Sequence, residues 1–212
     1  MRFPDRLTAG AILGCELADL APPDPVVLAL PRGGVPVGFA VSEVMGCPLD
    51  VLVVRKLGVP FQPELAMGAL GEAGIVVRNE EIIVAAGISE ETFDDVVRRE
   101  LAEIELRLES YRRVAEPIPL SERTAIIVDD GLATGATALA AVRVLREVGP
   151  SQIWLAVPVA PRDTTALMQN QTNRVVVLSQ PAAFGAVGVW YRDFGQTTDE
   201  EVKNLLAESR LR

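Results

Sequence analysis

The sequence predicts an α/β protein: an open, mainly parallel twisted sheet flanked by helices, with an inserted long helix and a small C-terminal segment. Three observations carry this. Short apolar runs rich in Val, Ile and Leu recur at residues 26–30, 49–54, 125–128, 153–159 and 174–178, the composition of strands buried on both faces. Segments with helical spacing of apolar residues alternate with them, at 8–20, 35–45, 138–148 and 162–171. Two strands also run directly into glycine loops that open a helix: Pro31-Arg32-Gly33-Gly34, and Asp129-Asp130-Gly131-Leu132-Ala133-Thr134-Gly135-Ala136-Thr137. Strands alternating with helices predict right-handed crossovers in one parallel sheet. In such sheets ligands bind beyond the carboxyl ends of the strands.

Each element follows from local chemistry. The helix at 8–20 ends at Ala21-Pro22-Pro23-Asp24, a breaker cluster. Residues 26–30 form the first strand, and the Arg32 loop leads into the helix at 35–45. Residues 49–54 form the next strand and place Arg55 and Lys56 at its carboxyl end, toward the ligand edge. Residues 57–74 scatter glycines and prolines among Phe61, Leu65, Met67 and Leu70, which reads as a loop with apolar anchors. That loop is either a mobile lid or a structural hairpin excursion; Glu64 and Glu72 are its acidic groups. A short strand at 75–77 and a helix at 79–86 follow, the latter stopped by Gly87. Ser89 caps a long helix reaching about residue 114. Its apolar positions Val97, Leu101, Ile104, Leu108 and Tyr111 step by four and three, a seam for the core or for a second copy in a homodimer. After an extended connector at 117–120 come the strand at 125–128, the acidic loop and its helix. Pro158 marks the end of the strand at 153–159. Residues 1–178 thus form the core of one domain, including 57–74 and 89–114. Residues 179–212 add Phe184, Trp190, Tyr191 and Phe194 and a terminal helix opening at Asp199.

Composition sets limits. The 212 residues and an apolar content of 49% suffice for one domain with a real core. No apolar run is long enough to span a bilayer, and the first residues do not read as a signal peptide. Cys15 and Cys47 form no CxxC pair, which suits a reduced, cytoplasmic protein. A net charge of −9 argues against nonspecific nucleic-acid binding. The absence of histidine excludes Ser-His-Asp and Cys-His chemistry and any His-ligated metal. Only two of the 20 basic residues are lysines, so Lys56 at a strand end stands out.

The acidic loop asks for a specific kind of ligand. Gly131 and Gly135 allow close backbone approach, Thr134 and Thr137 add hydroxyls, and the helix start offers unpaired N–H groups to a phosphate. No lysine is present, so this is not a P-loop, and backbone amides alone suit a monophosphate. Asp129 and Asp130 would repel that phosphate and suit instead the hydroxyls of a vicinal diol, or a metal through its water shell. A ribose 5-phosphate meets both demands.

The run from Val128 to Thr137 resembles the phosphoribosyl pyrophosphate (PRPP) motif of type I phosphoribosyltransferases. The resemblance implies that family's fold, with a hood at 179–212 and PRPP with Mg²⁺ at the site. Asp129 and Asp130 would bind the ribose hydroxyls, and Gly131 to Thr137 the 5-phosphate. Arg32, Gly33 and Gly34 would form the pyrophosphate loop, with a cis peptide at Pro31–Arg32, and Arg55 and Lys56 would add charge. Catalysis would rest on Asp129, Asp130, Lys56 and Arg32. A lid at 57–74 would close, and Phe184, Trp190 and Tyr191 of the hood would hold the acceptor; the other reading of these aromatics is a cover over the sheet edge. Members acting on 6-oxopurines carry an Asp where this chain has Ala133, so hypoxanthine and guanine are disfavoured and no general base is assigned. The long helix lies outside the common core of the family. The expected activity is transfer of phosphoribosyl to a nitrogenous base in nucleotide metabolism, with release of pyrophosphate. The alternative is a PRPP-binding sensor without turnover. Partners are small molecules, with no nucleic acid and no membrane.

Overall fold

A computed structural model describes residues 2–211. Five strands, β1 (Pro25–Ala29), β2 (Leu49–Val51), β6 (Thr124–Val128), β7 (Gln152–Val159) and β8 (Arg174–Ser179), form one sheet in the order β2-β1-β6-β7-β8. Every pairing in it is parallel. Strand residues alternate between two cores, as the two-residue period requires. Val27, Ala29, Ile126, Val128, Trp154 and Ala156 face one side. There they meet α1 (Arg6–Asp19), α2 (Gly34–Met45), α4 (Glu90–Arg112) and α7 (Asp199–Ser209). Val26, Leu28, Ala125, Ile127, Ile153 and Leu155 face the other side, under α5 (Ala136–Val148) and α6 (Arg162–Gln169). The parallel sheet, its order of elements and its flanking helices are therefore those the apolar runs predict.

The direction of winding reverses between β1 and β6. At such a switch point the loops leaving adjacent strands part and open a crevice at the carboxyl edge. Those loops are the two glycine loops, at 30–34 and 129–135.

Residues 55–78 take the hairpin alternative and include the short strand expected at 75–77, while Arg55 and Lys56 depart from expectation. The segment forms a second, antiparallel sheet of β3 (Arg55–Val59), β4 (Gln62–Leu70) and β5 (Val76–Arg78), in the order β3-β4-β5. The second strand of the main sheet stops at Val51, so Arg55 and Lys56 open the hairpin instead of ending a parallel strand. Glycine content suggests a loop, but here it serves close backbone approach. A Cβ on Gly58 would lie 2.5 Å from the Pro63 carbonyl, and one on Gly68 2.6 Å from that of Val77. Of the expected anchors Met67 and Leu70 are fully buried and Leu65 is partly so, but Phe61, at the turn between β3 and β4, is 71% exposed. A short α3 (Glu80–Ala85), capped by Asn79, leads to α4, capped by Ser89, whose hydroxyl accepts from Thr92 N. The seam of α4 packs into its own core through Phe93, Val96, Ile104 and Tyr111. Arg112 at its end binds Asp50 at 2.6 Å and both Glu72 oxygens at 2.8 and 2.9 Å. That cluster ties the helix to β2 and to the short 3-10 turn Glu72–Gly74.

Candidate functional site

Asp129 and Asp130 stand where β6 leaves the sheet. Asp129 turns back so that Oδ1 accepts from the Asp130 N–H at 2.8 Å. Asp130 Oδ2 accepts from Arg6 Nε at 2.9 Å, with both side chains little exposed, at 14% and 12%. Burial, reinforced by the Asp130 charge, pushes the Asp129 carboxyl well above its usual range. Burial also raises Asp130, and the Arg6 guanidinium opposes that rise. Two adjacent carboxyls short of positive charge form a site that favours a cation or hydroxyl donors.

The glycine loop of β1 lies directly against this pair. A Cβ on Gly33 would sit 2.2 Å from Asp130 Oδ2, and one on Gly34 2.7 Å from the Val128 carbonyl. Only glycine lets the two loops meet. The Pro31–Arg32 peptide is cis. Arg32 sits 3.6 Å from Asp199 Oδ2 at the start of α7, and Asp199 also accepts from the Tyr111 hydroxyl at 2.5 Å.

Beyond the pair, the loop splits its labour. Gly131 and Leu132 are buried; Leu132 is a core anchor whose N–H donates to the Val159 carbonyl, so within the loop it holds position. Thr134 is exposed, as are Ala133 and Thr137. Gly135, at φ +74°, turns the chain into α5, and a Cβ there would meet Thr164 at 2.8 Å. Thr164 in turn donates to the Ala133 carbonyl at 2.7 Å and fixes the loop from below. The first turn of α5 leaves N–H groups with no intrahelical partner, and that of Ala136 donates to Thr134 Oγ1 at 3.4 Å.

The switch point thus brings together an acidic pair, a basic glycine loop and a helix start. A family model described as "Phosphoribosyl transferase domain" matches residues 19–189. The chain belongs to the phosphoribosyl transferase family. It is 51% identical over 204 residues to two proteins of Mycobacterium tuberculosis, from strains H37Rv and CDC 1551 / Oshkosh; the former is named "Putative phosphoribosyl transferase Rv0571c". The match covers 96% of this chain but 46% of theirs, so the chain spans about half the length of those curated relatives. The crystal structure of TT1426 from Thermus thermophilus matches with a TM-score of 0.92 and 42% identity, covering 98% of this chain and 99% of that one.

Other expected phosphoribosyl transferase site residues are placed differently. Successive strand residues point to opposite faces. Arg55 accordingly turns to α4, 3.2 Å from Glu100 and 3.6 Å from Glu103, and is occupied there instead of facing the ligand edge. Lys56, on the other face, pairs with Glu64 at 3.2 Å and lines a cavity with Thr134 and Ala136, where the glycine loop enters α5. Glu72, expected as a lid carboxylate, is bound to Arg112 instead. Tyr191, expected to hold an acceptor, is 1% exposed and donates its hydroxyl to the Asp130 carbonyl at 2.5 Å. Phe184 and Trp190 stack on each other at 6.5 Å, and Trp190 Nε1 donates to the Phe184 carbonyl. The turn Val187–Trp190 packs on the loop, since a Cβ on Gly131 would meet Val187 at 2.7 Å.

Sequence reasoning missed Arg6. It is fixed by Asp130, by the Gly195 carbonyl at 2.8 Å and by the Phe194 ring, 3.8 Å from its guanidinium carbon. Residues 2–5 reach it by pairing with 190–193: Phe3 N donates to the Trp190 carbonyl and Asp193 N to that of Pro4. Nothing local marks Arg6, the first residue of an amphipathic helix. Among the described residues no group of three or more His, Cys, Asp or Glu could hold a metal, and no helix is long and apolar enough to cross a membrane.

Proposed function

We propose that the protein transfers the 5-phosphoribosyl group of PRPP to a nitrogenous acceptor and releases pyrophosphate. The observation that carries this is the contact between the acidic pair and the Arg32 glycine loop at the switch point, on the same sheet edge as the α5 start. Asp129 and Asp130 accept hydrogen bonds from the ribose hydroxyls. The first turn of α5, with Thr134 and Thr137, takes the 5-phosphate. Arg32 and the N–H groups of Gly33 and Gly34 take the pyrophosphate.

The bond from ribose C1 to the pyrophosphate oxygen breaks and its electron pair leaves with pyrophosphate. The acceptor nitrogen then bonds to C1 and loses its proton. The sugar passes through an oxocarbenium-like state. Positive charge on the ring is favoured beside two buried carboxylates, and Arg32 stabilises the leaving group, each such interaction supplying roughly 2.7–4 kcal/mol. Asp129 and Asp130, adjacent carboxylates at the sheet edge with Arg6 on Asp130, would hold Mg²⁺ through its water shell, and the ion would supply positive charge to the leaving pyrophosphate. Ala133 offers no base, so the acceptor's proton leaves by another route, and 6-oxopurines are poor candidates.

The test is pyrophosphate release from PRPP and Mg²⁺ across a panel of nucleobases, with a no-base control. Release dependent on one base supports the transferase and names its acceptor. Tight PRPP binding with no release under any base would replace the transferase with a sensor.

A further inference from the structure

Each member of the acidic pair has one carboxyl oxygen already in use. Asp129 Oδ1 accepts from the Asp130 N–H, and Asp130 Oδ2 accepts from Arg6 Nε. Among the described residues no other hydrogen bond reaches either carboxyl group. Asp129 Oδ2 and Asp130 Oδ1 are left over, one acceptor from each side chain. An ionised carboxylate only accepts, so two such oxygens match two donors on one ligand.

The two carboxyls are held by different means. Asp129 is fixed locally, by its neighbour's N–H. Asp130 depends on a residue 124 positions away. Tyr191 steadies the Asp130 main chain through the carbonyl, and Gly33 lets the β1 loop lie against Oδ2, but neither gives the carboxyl a hydrogen bond. Only Arg6 does, so Arg6 sets how that carboxyl is turned. Arg6 is itself fixed. One of its terminal nitrogens donates to the Gly195 carbonyl, and its guanidinium lies over the Phe194 ring. Asp5 caps the helix turn from which it springs, accepting from Thr8 N at 2.7 Å. A planar guanidinium tied down in this way has one orientation to offer.

We propose that Arg6 is a positioning residue for the sugar: by holding Asp130 Oδ2 it presents Asp130 Oδ1, together with Asp129 Oδ2, to the two ring hydroxyls of the phosphoribosyl group. The inference rests on the phosphoribosyl reading of the pair. Recognition then takes one oxygen from each carboxylate, and Arg6 acts through Asp130 without contacting the sugar. The start of α1 and residues 194–195, which no motif marks, govern how well the sugar is held.

Calorimetric titration with ribose 5-phosphate, and separately with inorganic pyrophosphate, both without divalent metal, tests it. The proteins are wild type, Arg6→Met, Arg6→Lys, Asp130→Asn and the Arg6→Met/Asp130→Asn double variant. Loss of one charged hydrogen bond corresponds to about a tenfold weakening of ribose 5-phosphate binding in Arg6→Met. Arg6→Lys keeps the charge but not the planar fork, and falls between Arg6→Met and wild type. Asp130→Asn loses the same bond, so the double variant binds ribose 5-phosphate no more weakly than Asp130→Asn alone. Pyrophosphate binding is not weakened in Arg6→Met or Arg6→Lys, which also reports an intact fold. Unchanged ribose 5-phosphate binding in Arg6→Met overturns the assignment. Further weakening when Arg6→Met is added to Asp130→Asn overturns it too, since Arg6 would then contact the ligand by itself. Equal weakening for both ligands does the same, as a general charge or folding effect. A wild type that binds pyrophosphate but no ribose 5-phosphate sinks the phosphoribosyl reading itself, and this inference with it.

Discussion

Arg6→Met is the most informative perturbation of the site, because it removes the positive charge nearest the acidic pair without touching a loop. Both members of the Arg6–Asp130 pair are mostly buried, at 12% and 14% exposure, so solvent screens them weakly. Removing one partner of a fully buried pair costs about 3–5 kcal/mol. The residual exposure puts this pair nearer ~2–3 kcal/mol, with up to ~1 kcal/mol more from the contact with Phe194. The loss depends on pH. Asp130 already has a raised carboxyl pKa in the folded state, through burial that Arg6 opposes. An acid whose folded pKa lies above its unfolded one contributes stability at low pH that is lost as pH rises through the folded value. Without Arg6 that window extends upward, so Arg6→Met loses more stability at pH 8 than at pH 5. Urea denaturation of wild type, Arg6→Met, Asp130→Asn and the double variant at both pH values reads the loss and the coupling. A loss at pH 8 under ~0.5 kcal/mol, or equal losses at the two pH values, would refute this electrostatic reasoning.

Three further outcomes follow from the same geometry. Asp199→Asn removes the carboxylate that competes for Arg32 and tightens pyrophosphate binding about two- to fivefold, the worth of an exposed pair, as measured by calorimetry. Arg112→Met strands Asp50, whose side chain is 4% exposed, and Glu72, and lowers stability by about 3 kcal/mol or more in urea denaturation; part returns at low pH, where Glu72, raised by burial, is neutral. Tyr191→Phe leaves the Asp130 carbonyl without its buried donor, a loss of about 1–3 kcal/mol by the same method, and lowers turnover if the pair's position matters.

The parallel sheet was legible because its strands are buried on both faces and their apolar runs carry no competing signal. That the acidic pair, the glycine loop after it and the Arg32 loop would lie together at one sheet edge was legible because each is contiguous in sequence, and the cis bond at Pro31–Arg32 came with the family resemblance. The antiparallel hairpin was legible only as one of two alternatives, beside a mobile lid. Gly58 and Gly68 are required there by close strand approach, and composition cannot separate that need from loop formation. Arg55 and Lys56 illustrate a second limit. Adjacent in sequence, they face opposite sides of β3, and only the structure shows what lies on each side, α4 carboxylates for one and Thr134 of the glycine loop for the other. Arg6 and Asp130 lie 124 residues apart, and their pairing depends on the N-terminal segment aligning with residues 190–193. Tyr191 shows the same: an aromatic near a site reads as a stacking platform until its hydroxyl is found supporting a backbone carbonyl.

The central claim is that the acidic pair and the two loops around it bind PRPP. Calorimetric titration of PRPP with Mg²⁺ into wild type and into Asp129→Asn/Asp130→Asn tests it most directly. Asn keeps the shape and the acceptor for the Asp130 N–H, so far-UV circular dichroism stays unchanged. Each charged hydrogen bond to a ribose hydroxyl is worth about 1.5–3 kcal/mol, so binding falls by about a hundredfold or more. Equal PRPP affinity in the two proteins, or none in the wild type, would contradict the assignment of this cleft.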